Sequence, residues 1–490
     1  MKRLVVAAAI VIVAVGAALA AVPFVEKHAA ARIKTEIERD GNTTVGAVEV
    51  GLLQRRVLLT DLQSRQFGEI AVGRWQASGL AWPLGELIMG RTPLAGVRLG
   101  DPLQADRVEL SDVRAVGEGS TWSVGSLVID GFDLGRYDPP PAGSADPLFH
   151  LGARIAAALS IARMEQKDTI AIDAKGDKVA IGSVSLAGID KGLVASSAAA
   201  GFEVTPRNAK APFVRVADAK LTKLDLRRAF TTMSQVEWQP GMPIGRLDLD
   251  ALSATGFGGE ALTRYGISLG SITSEIKREG QDVKRSSLRI QGFVLSPPLR
   301  GLETLQLRIG LQAMGLQDLR LDLACAGTED RAKAEVSIDR CALTGAELGE
   351  IDLAARLVGT DAAFWQAVDD GEMFALLRTK AGLGSARLVV VDRGLVERSI
   401  RAMATTSGQP VAAVRAGIAR EVRRFQPPGV LITEALTSLL DTVARFVETG
   451  GTLTLTAKPD TPIGIDKLDY FQRPGPDLVE TLGLGATLSR

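Results

Sequence analysis

From about residue 43 to residue 358, apolar and polar residues alternate over short stretches, so the dominant period is two rather than 3.6. Clear cases are Leu247-Asp248-Leu249, Ile267-Ser268-Leu269, Leu288-Arg289-Ile290, Leu305-Gln306-Leu307-Arg308-Ile309, Leu319-Arg320-Leu321-Asp322-Leu323 and Ile351-Asp352-Leu353. Successive side chains of a strand point to opposite faces, so this pattern predicts antiparallel strands with one apolar and one water-facing side. A chain patterned this way must cover that apolar side with something.

A looser unit recurs within the alternation: a short run, then glycine, then a hydrophobic residue. It reads Leu127-Val128-Ile129-Asp130-Gly131-Phe132, Val184-Ser185-Leu186-Ala187-Gly188-Ile189 and Leu288-Arg289-Ile290-Gln291-Gly292-Phe293, with Ala254-Thr255-Gly256-Phe257 closing a weaker version. Glycine inside a strand marks a bulge or bend, which predicts strands kinked repeatedly in a twisted sheet. The competing expectation is that these are ordinary strand ends of a β-sandwich.

Helical spacing interrupts the strands twice. Asp146-Pro147 supplies an N-cap and first position, followed by Leu148, Leu151, Ile155 and Leu159, which predicts a helix near 146–165 after the Pro139-Pro140-Pro141 loop. A longer stretch, 361–450, reads as a compact helical insertion through Phe364, Trp365 and Val368, then Val396, Ile400 and Met403, then Val411, Val414, Ile418 and Val422. Leu431, Ala435, Leu439, Val443 and Val447 form a last apolar stripe, which Gly450-Gly451 closes. Alternation returns in Leu453-Thr454-Leu455, so residues 451–490 are expected to rejoin the β body.

The N-terminus has a different character. Met1-Lys2-Arg3 precedes an uncharged run from Leu4 to Val25, 22 residues that would reach roughly 33 Å as a helix and span a hydrocarbon core of about 30 Å. Lys2 and Arg3 place that end on the cytoplasmic side, sending the remainder outward. Ala18-Leu19-Ala20 would also serve as a signal cleavage site, although cleaved signals carry shorter cores of about 7–15 residues. The expected fold is therefore mainly β with helical insertions: a transmembrane signal-anchor helix within 1–30, then a strand-rich body over 31–360 built as a twisted antiparallel sheet.

Composition limits what such a body does. Lysine plus arginine and aspartate plus glutamate each number 57, so no net field attracts nucleic acid. Two histidines and two cysteines leave little material for zinc sites or for histidine-based nucleophilic catalysis. At 4% aromatics, a stacking platform or aromatic pocket is poorly supplied. The carboxylates Asp369-Asp370 and Glu347/Glu350 are the remaining material for a glycan hydrolase, and adjacent carboxylates more commonly make solvated faces or caps. No catalytic, metal or cofactor residue is assigned.

Cys325 and Cys341 are 16 apart, in an expected compartment where disulfides form. Two readings stand. A bridge would close a loop contributing roughly 3 kcal/mol in the chain-entropy model. A hairpin turning at Glu329-Asp330 would instead hold the two sulfurs too far apart to bond.

The anchor of Lys2-Arg3 plus Leu4 to Val25, the segment Val45-Gly46-Ala47-Val48-Glu49-Val50-Gly51-Leu52-Leu53 leading to Arg56-Val57-Leu58-Leu59-Thr60-Asp61-Leu62, and the later strand-glycine units resemble the AsmA-like and YdgA-type anchored periplasmic envelope proteins. The resemblance implies a long twisted sheet folded into a trough whose apolar face shelters acyl chains, at inner-membrane localisation with the body in the periplasm. Leu247, Leu249, Leu305, Leu307, Ile309, Leu319, Leu321 and Leu323 are the candidate lipid-facing strip, and each would serve equally as ordinary core. The functional expectation is a non-enzymatic envelope protein handling lipid or maintaining the outer membrane, with phospholipid or an envelope protein as partner. The alternative is a periplasmic scaffold with a closed β core.

Overall fold

The computed structural model describes residues 22–65, 69–81, 100–117, 119–139, 147–235, 238, 248–280, 282–299, 304–370, 373–426, 430–464 and 477–490. Apart from residues 22–25, the apolar N-terminal run lies outside them, as do Leu247 and the proposed N-cap Asp146. Among the described residues, no helix is long and apolar enough to cross a membrane. The chain is mainly antiparallel β and forms two compact units, residues 1–213 with 220–248, and residues 214–219 with 249–490.

The first unit opens with helix α1, described over residues 22–37. Ala29, Ile33 and Ile37 recur every four residues and so share one face. That face is buried with Val45, Val50, Leu52, Val57, Leu59 and Ala77. Polar contacts fix the docking: Leu52 N donates to Glu26 Oε1 at 3.0 Å, Val45 N to Glu38 Oε1 at 3.1 Å, and Lys34 Nζ to Gly46 O at 2.9 Å. Burial of a side chain such as Ile33 contributes about 1.5–3 kcal/mol.

Strands β1 (Thr43–Thr44), β2 (Ala47–Gly51), β3 (Arg56–Ser64), β4 (Glu69–Ser78), β5 (Leu103–Gly117), β6 (Ser120–Leu134), β7 (Leu159–Ile172), β8 (Lys178–Asp190) and β9 (Leu193–Thr205) follow. From β2 to β9 each pairs antiparallel with its successor, so these strands form a meander. The expected helix is α2 (Pro147–Ala158), shorter than predicted because Leu159 already opens β7. It packs against α3 (Arg227–Met233), where buried His150 Nε2 lies 3.1 Å from Trp238 O. Strand β10 (Val214–Asp225) contributes Val214–Ala219 to the second unit and its remainder to the first.

In the second unit, β11 (Ala251–Thr255), β12 (Ile267–Ser268), β13 (Ser271–Glu279), β14 (Val283–Leu295), β15 (Leu319–Asp330), β16 (Glu335–Gly345), β17 (Gly349–Val358), β18 (Gly382–Asp392), β19 (Thr452–Ala457), β20 (Ile463–Gly464) and β21 (Leu484–Ser489) build another antiparallel array. Its spine runs β11, β13, β14, β15, β16, β17, β18, β19, β21. Its helices are α4 (Glu260–Thr263), α5 (Leu305–Ala313), α6 (Ala362–Asp370), α7 (Met373–Leu376), α8 (Leu395–Ser407), α9 (Val411–Arg424), α10 (Glu434–Thr449) and α11 (Leu478–Leu482).

Two expectations need correcting. Leu305-Gln306-Leu307-Arg308-Ile309 begins α5 and is not a strand. Leu305, Leu307, Ile309 and Leu311 fit period two, but a run of Leu, Gln, Arg and Ala also favours helix, and burying Leu311 and Leu316 decides the matter. Nor is 361–450 helical throughout. Strand β18 lies inside it and pairs with both β17 and β19, so the helices come in two groups on either side of a central strand.

Candidate functional site

Strand pairing lines up side chains from distant parts of the sequence into rows. In the second unit, Ala254, Ile272, Ile290, Leu323, Leu343, Ile351, Val390, Leu453 and Leu488 pair in succession across nine strands. A parallel row contains Leu252, Ser274, Leu288, Cys325, Cys341, Leu353, Leu388, Leu455 and Ala486. Eight interstrand steps at about 4.8 Å give an apolar band roughly 38 Å long. Its middle is open to solvent: Leu288, Leu343, Ile351 and Leu353 are 36–38% exposed and Ile338 is 40% exposed. At its β21 end, α10 packs on β19 and β21, where Leu453 is buried; Phe364 and Trp365 of α6 bury against Val336, near the hairpin end of β16.

The opposite face is polar. Arg340 donates to both Asp352 and Glu350, and these bonds raise its pKa above the ordinary arginine value, Glu350 contributing most. Arg320 donates to Asp318 and holds that carboxyl below the usual carboxylate range. The carboxylates considered for hydrolysis are similarly engaged: Glu347 accepts from Arg398 and Glu350 from Arg340, while Asp369 lies 3.5 Å from Arg331.

Leu319, Leu321 and Leu323 fall on the apolar face at half-burial, and Leu249 stands half-buried just before β11. Leu305, Leu307 and Ile309 do not join this face, because their backbone is α5; Leu307 and Ile309 are 43% and 54% exposed on that helix. Leu247 is outside the described residues.

Cys325 and Cys341 stand opposite each other in the band and are joined as a disulfide. The turn lies beyond Glu329-Asp330, the position that would have kept the sulfurs apart. Strand β15 runs to Asp330 and β16 begins at Glu335, so the hairpin turns at residues 331–334. Near the turn Gly327 faces Ile338, and further out Ala326 faces Arg340; the extra residue in β16 slides Cys341 into place opposite Cys325.

The first unit makes its apolar face by a different device. Leu59, Trp75, Leu110, Leu127, Gln166, Val184 and Ala199 form one row, and Leu62, Val72, Val113, Val124, Thr169, Ile181 and Phe202 the next. Both rows lie on one side, since buried Val72, Val113 and Val124 pack against Leu62, Trp75, Leu110 and Leu127. The step between rows is three residues rather than two. A line of residues that skips direct pairing separates them: Asp61, Gly73, Asp112, Gly125, Asp168, Gly182 and Gly201. Asp61, Asp112, Asp168 and Gly201 have φ between 52° and 68°, a left-handed kink that Asp and Gly tolerate better than other residues. Between them sit glycines, because a Cβ on Gly73 would lie 2.9 Å from Asp112 Cβ, and one on Gly125 3.0 Å from Asp168 Cβ.

Gly131 and Gly188 define a second line with φ of 62° and 61°, facing Ala162 and Ala195. Gly256 and Gly292 also have positive φ, so all four glycines of the recurring unit are backbone kinks. The aspartates went unread although the same signal marks them. Leu59-Thr60-Asp61-Leu62 and Leu110-Ser111-Asp112-Val113 have the pattern of Ile129-Asp130-Gly131-Phe132, with Asp in place of Gly.

Residues 342–488 match a protein-family model whose description is "Uncharacterized protein". No curated protein matches the chain.

Proposed function

We propose that the protein is a non-enzymatic component of a bacterial-type cell envelope that shelters lipid acyl chains on the apolar faces of its sheets. In this reading the run from Leu4 to Val25 is a single-pass inner-membrane anchor with the body in the periplasm, as the likeness to AsmA-like proteins implies. The observation that carries the proposal is the solvent-open middle of the band formed by Leu288, Leu343, Ile351 and Leu353, backed by a hydrophilic face. Apolar surface left uncovered costs about 25 cal/mol per Å², and a lipid chain laid along the rows would take the place of a second sheet.

Side-chain alternation supplies a direct test. A photo-crosslinking residue in place of Leu343 would face the band, and one in place of Thr344, paired with Glu350 on the other side, would not. In cells, irradiation should give phospholipid adducts from position 343 and none from 344, read by mass spectrometry. Protein adducts at 343 with no lipid would sink the proposal and favour a scaffold.

A further inference from the structure

The β2–β3 hairpin of the first unit turns on residues unsuited to a turn in water. Arg55 N donates to Leu52 O at 3.3 Å, so Leu53 and Gln54 are the central residues of the turn. Leu52-Leu53-Gln54-Arg55 contains none of the glycine, proline, asparagine, aspartate or serine that ordinarily make such turns. Arg55 takes φ of 45°, a left-handed conformation that glycine adopts without steric cost. Leu53 is 75% exposed at the tip, although Leu52 beside it belongs to the buried core.

Three contacts fix where this tip stands along α1. Glu26 lies beside Leu52, Lys34 beside Gly46 and Glu38 beside Val45, so β2 runs antiparallel to α1 and the turn is level with the start of that helix. Glu26 is the first charged residue after the uncharged run from Leu4 to Val25. The tip therefore lies within about one helical turn, 5.4 Å, of the point where the run ends. Phe24, two residues before Glu26, is 79% exposed. It is about 200° round α1 from Glu26, on the side away from the hairpin, so Phe24 and Leu53 flank the helix at one depth. Lys27 and Arg55 are exposed at the same level.

We infer that the Leu53 tip is a second membrane contact, entering the headgroup and upper acyl region of the bilayer that the N-terminal run spans. The inference rests on reading Leu4 to Val25 as an anchor. Those 22 residues fill a hydrocarbon core of about 30 Å, which puts Glu26 among the headgroups and the tip with it. At that depth the composition of the turn is consistent with its surroundings: Phe24 and Leu53 meet the acyl boundary, and Lys27 and Arg55 reach phosphate or water. Leu52 N, donating to Glu26 Oε1 at 3.0 Å, fastens the tip to the helix. With two points of attachment, β2 and β3 stand end-on to the bilayer instead of swinging about the anchor.

The sequence has only Cys325 and Cys341, which are bonded to each other, so Leu53→Cys in the full chain supplies a unique thiol for an environment-sensitive fluorophore. Gln63→Cys, seven residues beyond Arg56 along β3 and so roughly 23 Å further from the bilayer, is the control. The labelled chains are reconstituted in phosphatidylcholine vesicles, with and without lipids brominated on the acyl chain near the headgroup. The label at 53 should emit further to the blue than the label at 63 and lose most of its emission to the brominated lipid, whereas the label at 63 should keep its intensity. Flotation with the vesicles separates this inference from the anchor on which it rests. A chain that fails to float overturns both. A chain that floats while the label at 53 stays unquenched overturns the membrane contact alone, as does equal quenching at 53 and 63.

Discussion

At the scale of single residues, the most informative positions are those where backbone conformation and cross-strand space are solved together. Asp112 takes φ of 55° and swings its Cβ towards β4, which leaves room only for Gly73. Gly73→Ala should therefore destabilise the protein by about 1–3 kcal/mol, through overpacking against a neighbour that cannot retreat. Asp112→Gly removes the obstructing Cβ and keeps a residue at ease with positive φ. In that background the alanine at 73 should lose about half or more of its cost, a coupling that a double-mutant cycle in chemical denaturation reads directly. Strict additivity would mean that the kink and the glycine are unrelated. Gly125 and Asp168 offer the same cycle two strands further along.

Among the elements, the α8–α10 helices are tied by ion pairs that respond to acid. Hydrogen bonds from Arg401 first, and then from Arg415, hold the Glu397 carboxyl below its ordinary range, and Arg423 does the same for Glu448. A carboxylate whose folded pKa is depressed stabilises the fold fully above its unfolded value, about 4.3 for glutamate, and loses that contribution as pH falls through the folded value. Amide protection across α8, α9 and α10 should thus be intact at pH 6 and decline below about pH 4, by hydrogen exchange corrected for the intrinsic rate. Glu448→Gln should blunt the decline in α9 and α10. A profile identical in wild type and variant would remove Glu448 from the explanation. Element identity itself was partly readable: β12, β14, β15 and β17 follow from alternation. By contrast, α5 was hidden because its leucines satisfy two periods, and β18 because Leu388-Val389-Val390-Val391 sits between helical patterns.

For the whole molecule, the disulfide distinguishes the two units, since Cys325–Cys341 belongs to the second alone. Reduction removes a cross-link worth about 3 kcal/mol for a loop of this length in the chain-entropy model. Hydrogen exchange with and without reductant should show lost protection in β14 to β17 and unchanged protection in β5 to β8. Equal loosening of both sets would show that the units unfold as one.

What the amino-acid order determined alone is local. Alternation specified strands, glycines before hydrophobic residues specified kinks, and proline, glycine and apolar spacing specified most helices, because each depends on neighbours a few residues apart. Register belongs to the tertiary structure. Leu323, Leu343, Ile351 and Val390 become one band, and Cys341 meets Cys325, only when separate strands slide to a particular pairing. Whether an apolar face is covered or open is decided in the same way, since the side chains that would cover it come from segments far away in the chain and no local pattern encodes their arrival.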